Sequence, residues 1–238
     1  MKPIIGLSGT KQSGKNTVGT AISHWYSMEN CCTGEYEYSF ADPLKEFLIN
    51  TMGLTRDQCY GSDDDKNSET KYMWDNLPMH IRLNYSDEDL DVTLHENEET
   101  TFMALPRTGS MTAREMMQVF GTDIMREMFD DGIWVNATML KIRNNNPDIA
   151  IITDTRFRSE VSAILGEQNA YIIRLTRSPN NQEDRHSSEI DLDGYDWSAC
   201  GDRVLVIDNQ NMTIEETNEK AIEFVKGIFE KMKVEANG

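Results

Sequence analysis

Residues 9–17 read Gly-Thr-Lys-Gln-Ser-Gly-Lys-Asn-Thr, a GxxxxGK arrangement. Gly9 and Gly14 let a loop curl so that backbone N–H groups, those around Ser13 among them, converge on an anion. Lys15 adds a point charge suited to the β- and γ-phosphates of a nucleoside triphosphate. A helix starting at this loop contributes the favourable potential of its N-terminus, and the Thr17 hydroxyl can reach a further phosphate oxygen. One position departs from the usual pattern. Asn16 stands where a Ser or Thr hydroxyl ordinarily holds Mg²⁺. Its amide oxygen could ligate the metal, but it is longer and differently placed, and contact through a water is the alternative, because Mg²⁺ keeps several of its waters.

Three further groups of residues could do chemistry. Asp154-Thr155-Arg156 follows the apolar run of residues 149–153. Ligands of open α/β sheets bind at the carboxyl ends of strands, where Asp154 could hold a metal-bound water and Arg156 a phosphate. The competing structural reading makes Asp154 the cap of a helix beginning near Ser159, with Arg156 on the surface. Arg174, Arg177, Arg185 and His186 lie in or beside the polar stretch 178–193. Arginines there could neutralise the charge that spreads over the transferring phosphoryl group and help exclude water, as a lid does. Arg185 and His186, set among Asp, Glu and Ser, also fit a solvated loop. His186 is not required as a general base, since an acceptor phosphate is already ionised near neutral pH. Finally, Arg114, Gln118 and Gly121 recur at helical spacing within residues 113–126 and share a face. That face could hold a phosphate and a base edge; taken alone, it reads as an ordinary surface helix with Met117, Phe120 and Ile124 towards the core.

These groups need elements to position them. Residues 3–8, 36–41, 149–154, 170–175 and 203–208 read as strands, and the last three are near-continuous apolar runs suited to parallel strands covered on both faces. Val18, Ile22 and Trp25 recur on one face of a helix after the first strand. Residues 43–52, 112–129, 134–144, 159–168 and 214–232 are further helices. Strands alternating with helices predict a doubly wound α/β sheet, in a single domain spanning residues 1–238. Residues 55–110 break the alternation and read as an insertion, part helix and part hairpin around residues 91–94 and 101–105. The acidic runs 63–65 and 87–99 within it suit solvated surface better than metal ligation.

Composition narrows the function. A formal charge of −18 opposes wrapping a polymeric nucleic acid but allows a local basic pocket for a small phosphate. The four cysteines, Cys31, Cys32, Cys59 and Cys200, show neither zinc spacing nor a disulfide framework, and predict reduced thiols. No run approaches the ~20 apolar residues that cross a bilayer, and the N-terminus lacks a signal-peptide pattern. The expected compartment is the cytoplasm.

Taken together, SGTKQSGKNT, FADPLKEFL, MQVFGTDIMREMFDDGIWV, ITDTR, RHSSE and VLVIDNQNMTIEE resemble, in that order, the deoxynucleoside monophosphate kinases of tailed bacteriophages, within the P-loop nucleoside-monophosphate-kinase fold. The resemblance covers most of the chain outside the acidic insertion. It implies a five-stranded parallel core, an acceptor-binding region and a lid, with MgATP as donor, a deoxynucleoside monophosphate (dNMP) as acceptor, and a homodimer. By position, it implies that Lys11 assists Lys15 at the phosphates. Lys45, Arg114, Gln118 and Trp134 fall at the acceptor pocket, with Arg156 beside it, Arg177 and the Arg185-His186 pair in the lid, and Asn209 at the donor adenine. In that family the residue after the P-loop lysine is commonly Asp, so Asn16 shares the departure from Ser or Thr but lacks the charge. The alternatives are a P-loop kinase of another small phosphorylated metabolite, such as dephospho-coenzyme A or phosphomevalonate, and a non-catalytic ATP-binding module.

Overall fold

A computed structural model describes residues 2–86, 89–94, 99–178, 192 and 194–237. They form two compact units, one of residues 1–42 with 134–238 and one of residues 43–133.

The first unit is an α/β sheet flanked by helices. Its strands β1 (Ile4–Ser8), β2 (Glu37–Tyr38), β7 (Ala150–Thr155), β8 (Ala170–Leu175) and β9 (Val204–Ile207) are all parallel, in the order β2-β7-β1-β8-β9. The β-branched runs IIGLS, AIITDT and AYIIRL are buried on both faces, as central parallel strands must be. β1 pairs with β7 on one side and β8 on the other. Its carboxyl end is thus the place where the strand order reverses, the usual ligand position of such sheets.

One face of this sheet buries Ile5, Leu7, Ile151 and Ile173 against Val18 and Ile22 of α1 (Lys15–Asn30) and Val225 and Ile228 of the C-terminal helix α9 (Ile214–Asn237). The other buries Ile152 and Ile172 against Val135 and Met139 of α7 (Ile133–Asn145) and Val161 and Ile164 of α8 (Arg158–Leu165). Each of these side chains stabilises the unit by about 1.5–3 kcal/mol. α1 lies close on the sheet because position 19 is glycine: a Cβ there would meet Thr153 Cγ2 at 2.8 Å. β2 is shorter than the predicted 36–41, because Ser39, Phe40 and Ala41 turn away to bond Asp154.

The second unit contains α2 (Asp42–Phe47) from Pro43 onward, with a wider π-helical continuation at Leu48–Met52, then short helices α3 (Arg56–Tyr60), α4 (Asp63–Lys66) and α5 (Met79–Asn84). Two antiparallel pairs follow: β3 (Glu69–Met73) with β6 (Ser110–Thr112), and the hairpin β4 (Asp89–Leu94) with β5 (Glu99–Ala104), at the position expected from sequence. The unit is wider at both ends than the predicted insertion 55–110. α3 and α4 start at capping boxes, Thr55 with Gln58 and Ser62 with Asp65. The acidic run 63–65 thus forms the first turn of a helix, where carboxylates complement the exposed N–H groups.

α6 (Ala113–Gln118) is capped by Thr112 and Glu115 and continues as a π-helix through Val119–Glu127. The wider turn displaces the predicted periodicity. Met116, Val119, Gly121 and Asp123 are buried, whereas Met117, Phe120 and Ile124, expected on the core face, are only half-buried.

Candidate active site

The phosphate loop leaves β1 at Ser8 and enters α1 at Lys15. Two left-handed residues shape it: Gln12 at φ 62° and Gly14 at φ 105°. At Gly14 a Cβ would carry the steric cost of that region, which explains the glycine. The turn closes with the Ser13 N–H donating to the Thr10 carbonyl at 3.2 Å. Lys15, only 7% exposed, folds back over the loop, and its Nζ donates to the carbonyls of Gly9 and Thr10, both at 2.7 Å. A buried ammonium lodged at the first turn of α1, with no acidic side chain in that turn, makes an electropositive cradle. Ser13 Oγ is buried there without a hydrogen-bond partner among the described residues. It is a polar atom suited to a bound phosphate. Lys11, Asn16 and Thr17 are exposed at the rim.

Asp154 stands near the carboxyl end of β7, as expected, but it does not cap the helix that follows. Its Oδ2 accepts from Ser39 Oγ at 2.6 Å and the Ala41 N–H at 3.2 Å, and its Oδ1 accepts from the Phe40 N–H at 2.8 Å. It anchors the turn after β2. With two lone pairs per oxygen, only Oδ1 retains a place for a metal-bound water. Glu160, which sequence reasoning missed, takes the capping role. It is buried, and its Oε2 accepts from the backbone N–H groups of Arg156 at 2.7 Å and Phe157 at 3.0 Å. Its position three residues after Phe157 was the available signal, obscured because Phe is not an N-cap residue. The turn that Glu160 holds presents Arg156, whose guanidinium has no protein partner among the described residues.

Arg174, on β8, donates from Nη1 to Ser8 Oγ at 3.0 Å and lies 5.6 Å from the Trp197 ring centroid. Arg177, just beyond β8, donates from Nη2 to the Gln12 carbonyl at 3.0 Å, and its Nε is buried without a partner among the described residues. Asn209, after β9, is buried, with both ends of its amide bonded to backbone at Ser13 and Arg177. Lys11, Ser13, Lys15, Arg174, Arg177 and Asn209 are thereby gathered at one end of the sheet in the first unit. Trp134, on α7 of the same unit, is buried. Arg185 and His186 lie outside the described residues, as does most of the predicted lid, 178–193.

The remaining predicted acceptor residues belong to the second unit. Lys45 Nζ sits 4.3 Å from the Tyr60 ring centroid, on a ring that Arg56 approaches at 4.9 Å. Arg114 donates from Nε to Asn67 Oδ1 at 2.9 Å and from Nη2 to Asp63 Oδ1 at 2.6 Å, which leaves Nη1 for a phosphate. Gln118 is half-buried on the same helix. Nearby, Trp74 and Arg107 both reach Glu115, and the Tyr85 hydroxyl donates to the buried Asp123 at 2.7 Å. Burial, with the carboxylate of Asp123 as the next cause, pushes the Tyr85 phenol well above its ordinary range. Burial also raises the Cys59 thiol, against a smaller opposing effect of Lys45. No group of three or more His, Cys, Asp or Glu suited to a metal occurs among the described residues, nor any helix long and apolar enough to cross a membrane.

A buried lysine wrapped in a glycine loop, at the switch point of a parallel sheet, places the protein among the P-loop nucleotide-binding proteins. Comparison with known proteins narrows the class. The sequence model of the deoxynucleotide monophosphate kinase family matches residues 66–221, a span that excludes the phosphate loop, so the two observations are independent. A deoxynucleoside-5′-monophosphate kinase of Escherichia phage T5 is 27% identical over 195 residues, covering 71% of this chain and 74% of its own. A deoxynucleotide monophosphate kinase of Enterobacteria phage T4 is 27% identical, covering 86% and 92%. The chain belongs to the deoxynucleotide monophosphate kinase family. It is a kinase with ATP as phosphate donor and a deoxynucleotide monophosphate as substrate.

Proposed function

We propose that the residues assembled around the phosphate loop move the γ-phosphoryl group of MgATP onto the 5′-phosphate of a dNMP, giving the diphosphate and ADP. The observation that carries this reading is Lys15, buried with its ammonium inside the loop between the Gly9 and Thr10 carbonyls. Phosphoryl transfer needs little covalent chemistry from the protein, so positioning and charge stabilisation do the catalysis. Lys15, the loop N–H groups and the N-terminus of α1 hold the β- and γ-phosphates, with Gly9, Lys11, Ser13, Gly14 and Thr17 shaping or lining their seat. Arg177, beside the loop, and Arg156, whose guanidinium has no protein partner among the described residues, carry the charge to stabilise the transferring group. Arg185 joins them from the lid on the family resemblance.

Lys45, Arg114, Gln118 and Trp134 take the acceptor, Arg114 through the guanidinium nitrogen not engaged by Asp63 and Asn67. Mg²⁺ would be held by Asn16 and by the free lone pair of Asp154 Oδ1, through waters, which suits an ion that dehydrates reluctantly. When bound, it neutralises charge on the β- and γ-phosphates. ATP and deoxynucleotides are cytoplasmic metabolites, and the cytoplasm is where we place the enzyme, as a homodimer on the family resemblance.

The test is ADP formation from ATP with each dNMP in turn, for the wild type and Lys15→Ala. ADP release that requires a dNMP, and that Lys15→Ala abolishes, supports the reading. Turnover unchanged in Lys15→Ala would sink it.

A further inference from the structure

β8 and β9 are neighbours in the sheet, and β8 also flanks β1. The chain segments that leave β8 and β9 therefore emerge side by side, next to the phosphate loop. The Thr176 N–H donates to the Ile207 carbonyl at 3.1 Å and the Thr176 hydroxyl to Asp208 Oδ1 at 3.0 Å, which locks the two exits together. On this base stands a clamp of four hydrogen bonds. Asn209 Nδ2 donates to the Ser13 carbonyl at 2.9 Å, and Asn209 Oδ1 accepts from the Arg177 N–H at 2.9 Å. The Arg177 carbonyl accepts from the Thr10 hydroxyl at 2.9 Å, and Arg177 Nη2 donates to the Gln12 carbonyl at 3.0 Å. Asn209 is only 3% exposed, so neither end of its amide can trade these partners for water at little cost.

We infer that Asn209 is a positioning residue, which fastens the phosphate loop to Arg177 instead of gripping the base of the donor. Three points carry this. The side chain needs a donor and an acceptor on one rigid plane, and among residues of this size only an amide has both; Asp would set a second oxygen against the Ser13 carbonyl. The Ser13–Gly14 peptide is trans, so its C=O and N–H point in opposite directions. By holding the Ser13 carbonyl, Asn209 turns the Gly14 N–H away from itself. Through the Arg177 N–H it also fixes the backbone that carries the Arg177 guanidinium. One buried amide thus sets two groups of the phosphate site at once. The inference rests on the reading that this loop holds the donor phosphates.

Steady-state kinetics of the full-length enzyme test it, with one dNMP and four donors: ATP, GTP, CTP and UTP. Loss of a buried bridging amide is expected to lower kcat by roughly tenfold to a hundredfold, by the same factor for every donor base. In an Arg177→Ala background, Asn209→Ala should lower kcat by a smaller factor than in the wild type, because the part of its effect exerted through the Arg177 guanidinium is already gone while the part exerted through the Ser13 carbonyl remains. Thr10→Val should lower kcat and Thr10→Ser restore it, a check that stands even if Asn209→Ala folds poorly. A loss confined to ATP, an unchanged kcat, or effects that multiply in the double variant would overturn the inference. Calorimetric binding of inorganic tripolyphosphate needs no acceptor, so it separates the clamp from the reaction. Weaker binding in Asn209→Ala supports the clamp even if no dNMP is phosphorylated, and equal binding in both proteins overturns it.

Discussion

Asp154 offers a sharp division between two roles, because a metal ligand and a structural anchor respond differently to the same substitution. Its carboxylate accepts from Ser39 Oγ at 2.6 Å and from the N–H groups of Phe40 at 2.8 Å and Ala41 at 3.2 Å. A hydrogen bond to a charged acceptor contributes about 1.5–3 kcal/mol in net, and a buried donor left without a partner costs about 1–3 kcal/mol. These bonds are part-buried and share one acceptor group, so they do not add. The Ala41 N–H also keeps a second acceptor, Ser39 Oγ at 3.1 Å. Asp154→Ala should therefore destabilise the first unit by about 2–4 kcal/mol, and at roughly 2–4 °C per kcal/mol for a protein of this size lower Tm by about 4–16 °C. Asp154→Asn keeps one acceptor oxygen but turns an NH₂ towards at least one donor, and should fall between the wild type and Asp154→Ala. Thermal and urea unfolding followed by circular dichroism measure both. Equal Tm in all three proteins, with only the Mg²⁺ dependence of turnover shifted, would refute the anchor and leave Asp154 purely a metal residue.

Two further outcomes follow from the same structure. Gly14→Ala places a side chain at φ 105° with nothing nearer than 3.9 Å, so its cost is conformational, about 1–2 kcal/mol; urea unfolding should show that loss, together with weaker ATP binding by calorimetry, and wild-type values for both would contradict the left-handed loop. The Asp65 carboxyl lies below its ordinary value of 3.8 because the Ser62 side chain and backbone bond it, so the stability it contributes at neutral pH is lost as pH falls through its depressed folded-state pKa; NMR titration should show the Asp65 pKa rising in Ser62→Ala, and no change would remove Ser62 as the cause.

Much of the fold was legible because the signals were local. IIGLS, AIITDT and AYIIRL are buried on both faces, and that requirement shows directly as unbroken apolar runs. The phosphate loop was legible because its glycines answer to backbone geometry inside the motif itself, as the positive φ of Gly14 shows. What escaped were roles decided by residues far away in the chain. Asn209 bonds Ser13 across 196 positions and Asp154 bonds Ser39 across 115, and neither partnership leaves a periodic trace. The core face of residues 113–126 escapes the sequence for another reason. A 3.6-residue period does not hold where Val119–Glu127 winds as a wider π-helix, which buries Val119 and Asp123 in place of Phe120 and Ile124. Glu160 was hidden by an unusual neighbour, since it caps a turn that begins with Phe157 rather than with Ser, Thr, Asp or Asn.

The central claim is that Lys15 and its loop hold the phosphates of ATP for transfer to a deoxynucleotide monophosphate. Coupled-assay measurement of ADP, with each dNMP and with none, tests it most directly in the wild type and Lys15→Met. Lys15→Met keeps an apolar stem of similar length but removes the charge seen by the phosphates. The account expects ADP release only when a dNMP is present, conversion of that dNMP to its diphosphate, and a fall in kcat of at least about a hundredfold in Lys15→Met. Equal rates with and without every dNMP, or Lys15→Met turning over at the wild-type rate, would contradict it.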